Sequence, residues 1–285
     1  MKKFLAILVL LILPMSAIAN IRVIVPFAAG GAADTVARAY ANYVGIATGK
    51  KITVENITGA GSQIATQKLI DSTDNVVMIS TSSYYVNIAR KTFTEDEFVV
   101  VSILGQSPLL VGTPTHKNHS CKSLRETKNP IFVGTAGKDS ISSVPAIFVI
   151  EKFKNYVEVP YKGLSQATID LVGGRIDIIF FASMLERQDI TMIANTGPNT
   201  FEKLPSTRQC LGIPETVVNQ FVVVANKNAS KEFVESMNSF GMKFVKDPDQ
   251  IEFFKNRAIE PIGYDFVSTQ KMVKEQYKSW AQVYK

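Results

Sequence analysis

The residues of this chain best placed to do chemistry are small or hydroxylated, and they sit in short turns that follow apolar runs. The first turn is Pro26-Phe27-Ala28-Ala29-Gly30-Gly31-Ala32-Ala33-Asp34. Its paired glycines leave backbone N–H groups uncovered, and the helix that starts there brings a positive dipole end to the same spot. A carboxylate or phosphate is satisfied in such a place without any positive side chain; a plain strand–helix turn is the competing reading. Asp34 lies about one turn into the helix and is positioned to cap it. Thr58-Gly59-Ala60-Gly61-Ser62-Gln63, Ser80-Thr81-Ser82-Ser83-Tyr84-Tyr85, Thr135-Ala136-Gly137 and Tyr161-Lys162-Gly163 occupy equivalent positions further along. Ligands of open parallel sheets bind beyond the carboxyl ends of strands, where helices begin. Five such turns point to one shared cleft and add Ser62, Thr81 and Thr135 to the candidate ligand-binding residues.

Other chemistries lack their residues. In the second turn the third glycine of GxGxxG falls on Ile64, no acid follows at the required distance, and no GxxxxGK[ST] occurs, so no dinucleotide or phosphate cradle is expected. His116 and His119 are the only histidines and share a polar loop without a third ligand, so no metal site is expected. That leaves no partner for a Ser-His-Asp or Cys-His arrangement, and neither HExxH nor GxSxG is present. Glu95-Asp96-Glu97 reads as solvated loop. The expectation is a binding protein with no cofactor and no catalytic residues. Cys121 and Cys210 are the only cysteines and lack CxxC spacing. A single disulfide between them is expected in an oxidising compartment, with two unpaired thiols as the alternative.

The elements that must position these turns follow from periodicity. Residues 21–27, 51–56 and 76–80 read as strands, alternating with a helix carrying Val36, Ala37, Tyr40 and Val44 on one face and another over 62–71. After strand-like stretches at 98–104 and 109–112 the rhythm restarts with strands at 131–135, 157–161, 176–181 and 191–195, separated by helices at 142–153 and 165–171. A strand at 220–226 precedes a mostly helical end. This is the βαβ pattern of sheets flanked by helices. The prediction is an α/β protein of two lobes, each with a mainly parallel sheet, joined by two hinge crossovers. The limits are 20–112 plus 226–285 for lobe 1 and 113–225 for lobe 2. One large doubly wound sheet is the alternative.

The start of the chain bears on its compartment. Lys2 and Lys3, the apolar run over 4–13, Pro14 and the small residues Ala17-Ile18-Ala19 have the layout of a secretory signal peptide, with cleavage expected before Asn20. The apolar run is shorter than the roughly 20 residues a membrane anchor needs. The expected location is the bacterial periplasm. With 46% hydrophobic and 20% charged residues, the chain can build real cores. Its formal charge of +6 falls by two with the loss of Lys2 and Lys3, and the basic residues form no block. That helps attract anions and does not resemble a nucleic-acid footprint.

At this point the motifs resemble a known family, the tripartite tricarboxylate transporter receptors, also called Bug proteins. The stretch from Ile21 to Asp34 is similar to their opening, and Val54-Glu55-Asn56 with Gly59-Ala60-Gly61 to their next segment. Val159-Pro160-Tyr161-Lys162-Gly163, running to Asp170-Leu171-Val172-Gly173-Gly174-Arg175-Ile176-Asp177, resembles their second-lobe block, and Trp280 their closing helix. The likeness covers nearly the whole chain beyond residue 19. It implies a periplasmic-binding-protein-like fold that closes in Venus-flytrap fashion on a small carboxylate. It also implies a monomer that delivers the ligand to a membrane permease of one large and one small subunit. Carried over residue by residue, it sets Phe27, Ala29, Gly30 and Gly31 opposite Tyr161, Lys162 and Gly163 around one ligand carboxylate.

The sequence departs from the family where many members carry Asp after the Phe ending the block's strand; here Phe180 is followed by Phe181. Phe181 either faces an apolar or aromatic part of the ligand or belongs to the core. Three functions compete: a receptor taking a di-, tri- or aromatic carboxylate, a sensing module presenting it to a membrane kinase, and a periplasmic enzyme. The receptor is the reading the whole-length resemblance favours.

Overall fold

The structure, a computed structural model, describes residues 20–72, 75–182, 187–197, 203–214 and 218–283. The proposed signal segment lies outside these residues. The chain opens with β1 (Ile21–Val25), α1 (Ala32–Thr48), β2 (Ile52–Asn56), α2 (Gln63–Ile70), β3 (Val76–Ser80), α3 (Ser83–Ala89) and β4 (Phe98–Pro108). It continues with β5 (Leu110–Pro114), α4 (Cys121–Glu126), β6 (Ile131–Thr135), α5 (Ser143–Lys152), β7 (Tyr156–Pro160), α6 (Leu164–Val172), β8 (Ile178–Phe181), β9 (Ile190–Asn195) and α7 (Thr207–Leu211). β10 (Val218–Asn226), α8 (Lys231–Phe244), α9 (Pro248–Lys255), β11 (Glu260–Pro261) and α10 (Phe266–Val283) complete it.

The strands form two sheets, ordered β11-β4-β10-β3-β1-β2 and β7-β6-β8-β5-β9. Both are mixed. β1 pairs parallel with β2 and β3, and β6 with β7 and β8, as βαβ units require. The strands around the two crossovers run antiparallel to their neighbours. Pairing also sets those crossovers differently from the sequence-derived limits. Leu110–Pro114, placed in lobe 1 by pattern, is bonded to β8 and β9 of the second sheet. Val218–Asn226, placed mostly in lobe 2, lies between β3 and β4 of the first. Periodicity could not see this, because it marks where strands lie and not which sheet each one joins.

The first crossover is therefore the single residue Leu109. It is fully buried, its N–H donates to Thr196 Oγ1 at 2.8 Å, and its carbonyl accepts from the Thr196 N–H at 2.8 Å. An apolar cluster runs through this joint from Ile24 and Met78 to Val111, Val133 and Phe180. A second cluster packs α1 and α8 on the opposite face of the first sheet, where Tyr40, Phe244 and Phe254 are fully buried. The C-terminal helices return to the first sheet: Asn238 of α8 donates to the Val101 carbonyl, and Tyr277 of α10 meets Tyr84 of α3 at 2.6 Å between hydroxyls. Cys121 of α4 and Cys210 of α7 form a disulfide.

Candidate functional site

α1 begins at the carboxyl end of β1 because the turn before it can take a left-handed step: Gly30 has φ +81° and a side chain there would be strained. Asp34 then reaches back from the first turn. Its carboxylate accepts the Gly30 N–H at 2.9 Å, Asn56 Nδ2 at 2.8 Å and Arg38 Nε at 2.9 Å. Burial alone would raise its pKa, but the Arg38, Gly30 and Asn56 hydrogen bonds outweigh it and hold the carboxyl below the ordinary aspartate value. Asp34 thus ties the loop from inside the helix, while the N-cap itself is Gly31.

Beyond the ends of β1, β3, β6, β7 and β8 lies a small cavity with mainly apolar walls. Phe27, Ala28, Gly31, Ala32 and Ala33 form one wall, and Thr81 and Ser83 extend it. The facing wall comes from the β6–α5 loop, with Ala136, Ser140, Ile141 and Ser142. Leu164 and Ser165 at the start of α6, and Ala182 after β8, complete it. Among the described residues no charged side chain lines this cavity.

Its hydroxyls are largely occupied with one another. Thr81 Oγ1 and Ser83 Oγ are 3.0 Å apart, and Ser83 Oγ accepts the Ile141 N–H at 2.8 Å. Ser140 and Ser142 Oγ are 2.9 Å apart, and Ser142 Oγ accepts the Ala136 N–H. The donors left over are backbone. The first intrahelical bonds of α1 and α6 are Thr35 N–H to Gly31 O and Ala167 N–H to Gly163 O. The N–H groups of Ala32, Ala33, Leu164 and Ser165 therefore precede any helical partner. Two helix N-termini, one from each sheet, bring positive dipole ends to one apolar-walled space, which suits a single anion.

The two walls touch. Asp139 accepts Gln63 Nε2 at 2.8 Å and pairs with Arg90 Nε at 2.7 Å. Gly61, at φ +59°, lies so close to Asp139 that a Cβ would come within 2.5 Å of the Asp139 Cβ. Gly163 lies against Ala28, whose Cβ is 3.4 Å from where a Gly163 Cβ would be, and Ser165 Oγ reaches the Ala29 carbonyl at 3.4 Å.

Of the residues nominated from sequence, Phe27, Gly31 and Thr81 line this cavity. Gly30 and Phe181 line a second groove beside it, which shares Gly31, Ala32, Leu164, Ser165 and Ala182 with the inner wall. Ala29 is exposed at the loop tip, Gly163 is buried at the α6 N-cap and Lys162 is exposed. Ser62 and Thr135 do not reach the cavity. Ser62 is buried and accepts Asn87 Nδ2, while Thr135 donates to Glu158 Oε1 at 2.8 Å. Tyr161 turns its hydroxyl to Asp170 Oδ2 at 2.8 Å, and desolvation with that carboxylate pushes the phenol up to about 12. Phe181 is buried with Ile190 and Ile179 and also lines the outer groove. Sequence reasoning missed Ser140, Ile141 and Leu164, which follow their strands by several residues. Only the helix-start pattern at 142 and 165 hinted at them.

Residues 36–285 match the family described as "Tripartite tricarboxylate transporter family receptor". BugT of Bordetella pertussis is 24% identical over 92% of this chain and 87% of its own. The structure of the periplasmic binding protein BugD superposes with a TM-score of 0.84 at 21% identity, covering 93% of this chain and 96% of that one. An adipate-bound protein of R. palustris gives 0.83 at 20% identity, with 93% and 95% covered. Among the described residues no helix is long and apolar enough to cross a membrane. With the family matched across most of its length and the fold matched over nearly all of it, this chain belongs to the tripartite tricarboxylate transporter receptors, a family of substrate-binding receptors rather than enzymes.

Proposed function

We propose that this protein captures one small carboxylate (di-, tri- or aromatic) in the periplasm, between two lobes, and delivers it as a monomer to a permease of one large and one small membrane subunit. Residues 1–19 serve as its signal peptide, cut before Asn20. The lobes follow the strand pairing, with the crossovers at Leu109 and between Leu211 and Val218. One observation carries the reading: unpaired N–H groups of α1 and α6 converge from both sheets on a cavity without a cationic side chain. A carboxylate seated there completes its hydrogen bonds only when the lobes are together, so its binding favours closure. The adipate held by the R. palustris relative supports an acid as the ligand class.

The test is a thermal-shift panel on protein stripped of ligand by refolding, with carboxylic acids, amino acids and neutral sugars. An acid at 100 times its dissociation constant adds about 2.7 kcal/mol, a rise of several degrees. A response to sugars or amines alone overturns the assignment.

A further inference from the structure

The groove outside the anion cavity specifies the rest of the ligand. It shares five wall residues with the inner cavity, so the two adjoin. Its long wall is one face of α6: Leu164, Ser165, Thr168, Ile169 and Val172 follow a helical repeat. From Leu164 to Val172 this face runs about 12 Å at 1.5 Å per residue. Polarity changes along it. The uncovered N–H groups and the Ser165 hydroxyl lie at the cavity end, whereas Ile169 and Val172 make the far end of this face apolar.

We propose, resting on the reading of a carboxylate receptor but departing from its di- and tricarboxylate options, that the preferred ligand is a monocarboxylate with an unbranched or flat apolar body, its acid group in the inner cavity and its body along α6. The α6 dipole fixes that orientation, because its positive end faces the cavity and its negative end lies toward Val172. A second carboxylate at the far end would meet that negative end and lose water against Ile169 and Val172. The groove's one charged wall residue among those described, Arg187, is already held by both oxygens of Asp189, at 2.8 and 2.6 Å. Each methylene laid in the groove improves affinity roughly fourfold, the value for burying one CH₂.

Calorimetric titration of the purified, ligand-stripped protein with butyrate, hexanoate, adipate and citrate tests this, alongside Ile169→Glu. Ile169 is 69% exposed, so the substitution leaves the core untouched. The expected result is hexanoate binding at least tenfold tighter than both butyrate and adipate, with Ile169→Glu costing hexanoate fivefold or more. Adipate or citrate binding tighter than hexanoate overturns the single-carboxylate inference and leaves the receptor reading standing. Hexanoate affinity unmoved by Ile169→Glu overturns the placement of the body along α6. Binding of none of the four acids overturns this inference, and the carboxylate reading falls with it when the thermal-shift panel is also silent for aromatic acids.

Discussion

Asp139 joins the two walls of the site without lining the cavity, so its removal separates lobe closure from ligand contact. Its carboxylate takes Arg90 Nε at 2.7 Å and Gln63 Nε2 at 2.8 Å, with 17% of the Asp139 side chain and 38% of Arg90 exposed. A charged hydrogen bond contributes about 1.5–3 kcal/mol when sheltered. Exposed ion pairs contribute about 0.2–1 kcal/mol. Half-exposure places the pair of contacts at about 1–2 kcal/mol. Asp139→Ala keeps the Cβ that faces Gly61 and removes only the carboxylate. If the closed form binds ligand, apparent affinity scales with the closed fraction. The variant should then bind up to about 5–30-fold more weakly, the full factor applying where the open form already dominates, and where the closed form dominates without ligand the loss shows instead as a larger radius of gyration in small-angle scattering. Arg90→Ala should do the same, and the double variant should add little to either, as expected for two halves of one contact. Unchanged affinity together with unchanged dimensions would refute the idea that this contact holds the lobes closed.

The other predictions concern the loop, its anchor and the disulfide. Gly31 has φ −77° and ψ 169°, ordinary for any residue, and an added Cβ meets only the Ala28 carbonyl at 3.4 Å. Gly31→Val should therefore melt within a few degrees of wild type yet lose carboxylate binding; retained affinity removes the first loop from the site. Asp34→Asn should cost about 1–3 kcal/mol at neutral pH. Because the folded carboxyl titrates below its unfolded value of about 3.9, that difference should hold above this pH and shrink as the pH falls through the lowered folded value. Urea unfolding of both proteins at pH 7 and pH 3 measures it, and a gap that widens in acid contradicts it. Reduction of Cys121–Cys210, which closes a sequence separation of 89 residues, should cost about 2–5 kcal/mol. Denaturing thiol titration of unreduced protein should find no free thiol, and two reactive thiols would refute the bridge.

What the sequence disclosed was set by periodicity and turn chemistry. The βαβ halves were legible because strands such as Val76–Ser80 and the face of α1 repeat at distinct periods. The first loop was legible because Gly30-Gly31 stands directly between a strand and a helix. The crossover at Leu109 was not, since the polar Gly105-Gln106-Ser107-Pro108 reads as a break after the strand, and only pairing shows that β4 runs through it and that the chain changes sheet at Leu109. Tyr161 and Thr135 were drawn into the site by position along the chain, but a strand end fixes where a residue is and not where its side chain goes. Each found an acid nearer than the cavity, Asp170 and Glu158 respectively. Ser140 and Ile141 were passed over because the chain travels several residues past β6 before turning back to the cleft.

An anion site without a cation also bears on release. A lysine or arginine in one lobe would hold a carboxylate whether or not the other lobe was present, and opening would leave the ligand bound. Here the donors that no helix or hydroxyl claims are divided between α1 and α6, and each helix supplies only part of what one carboxylate needs. Separating the walls removes half of those bonds together with the apolar enclosure that strengthens them. The remaining half must then compete with bulk water, where a hydrogen bond is worth little. If a carboxylate binds as proposed, its retention depends on the cross-wall contacts of Asp139, Ser83 and Ser165, which make no claim on the ligand's identity. Any partner that pries Asp139 from Arg90 lowers affinity for every ligand by the same factor, whereas changes along α6 alter the choice among ligands. Affinity and selectivity therefore map to different residues, and variants at Asp139 and Ile169 should act independently.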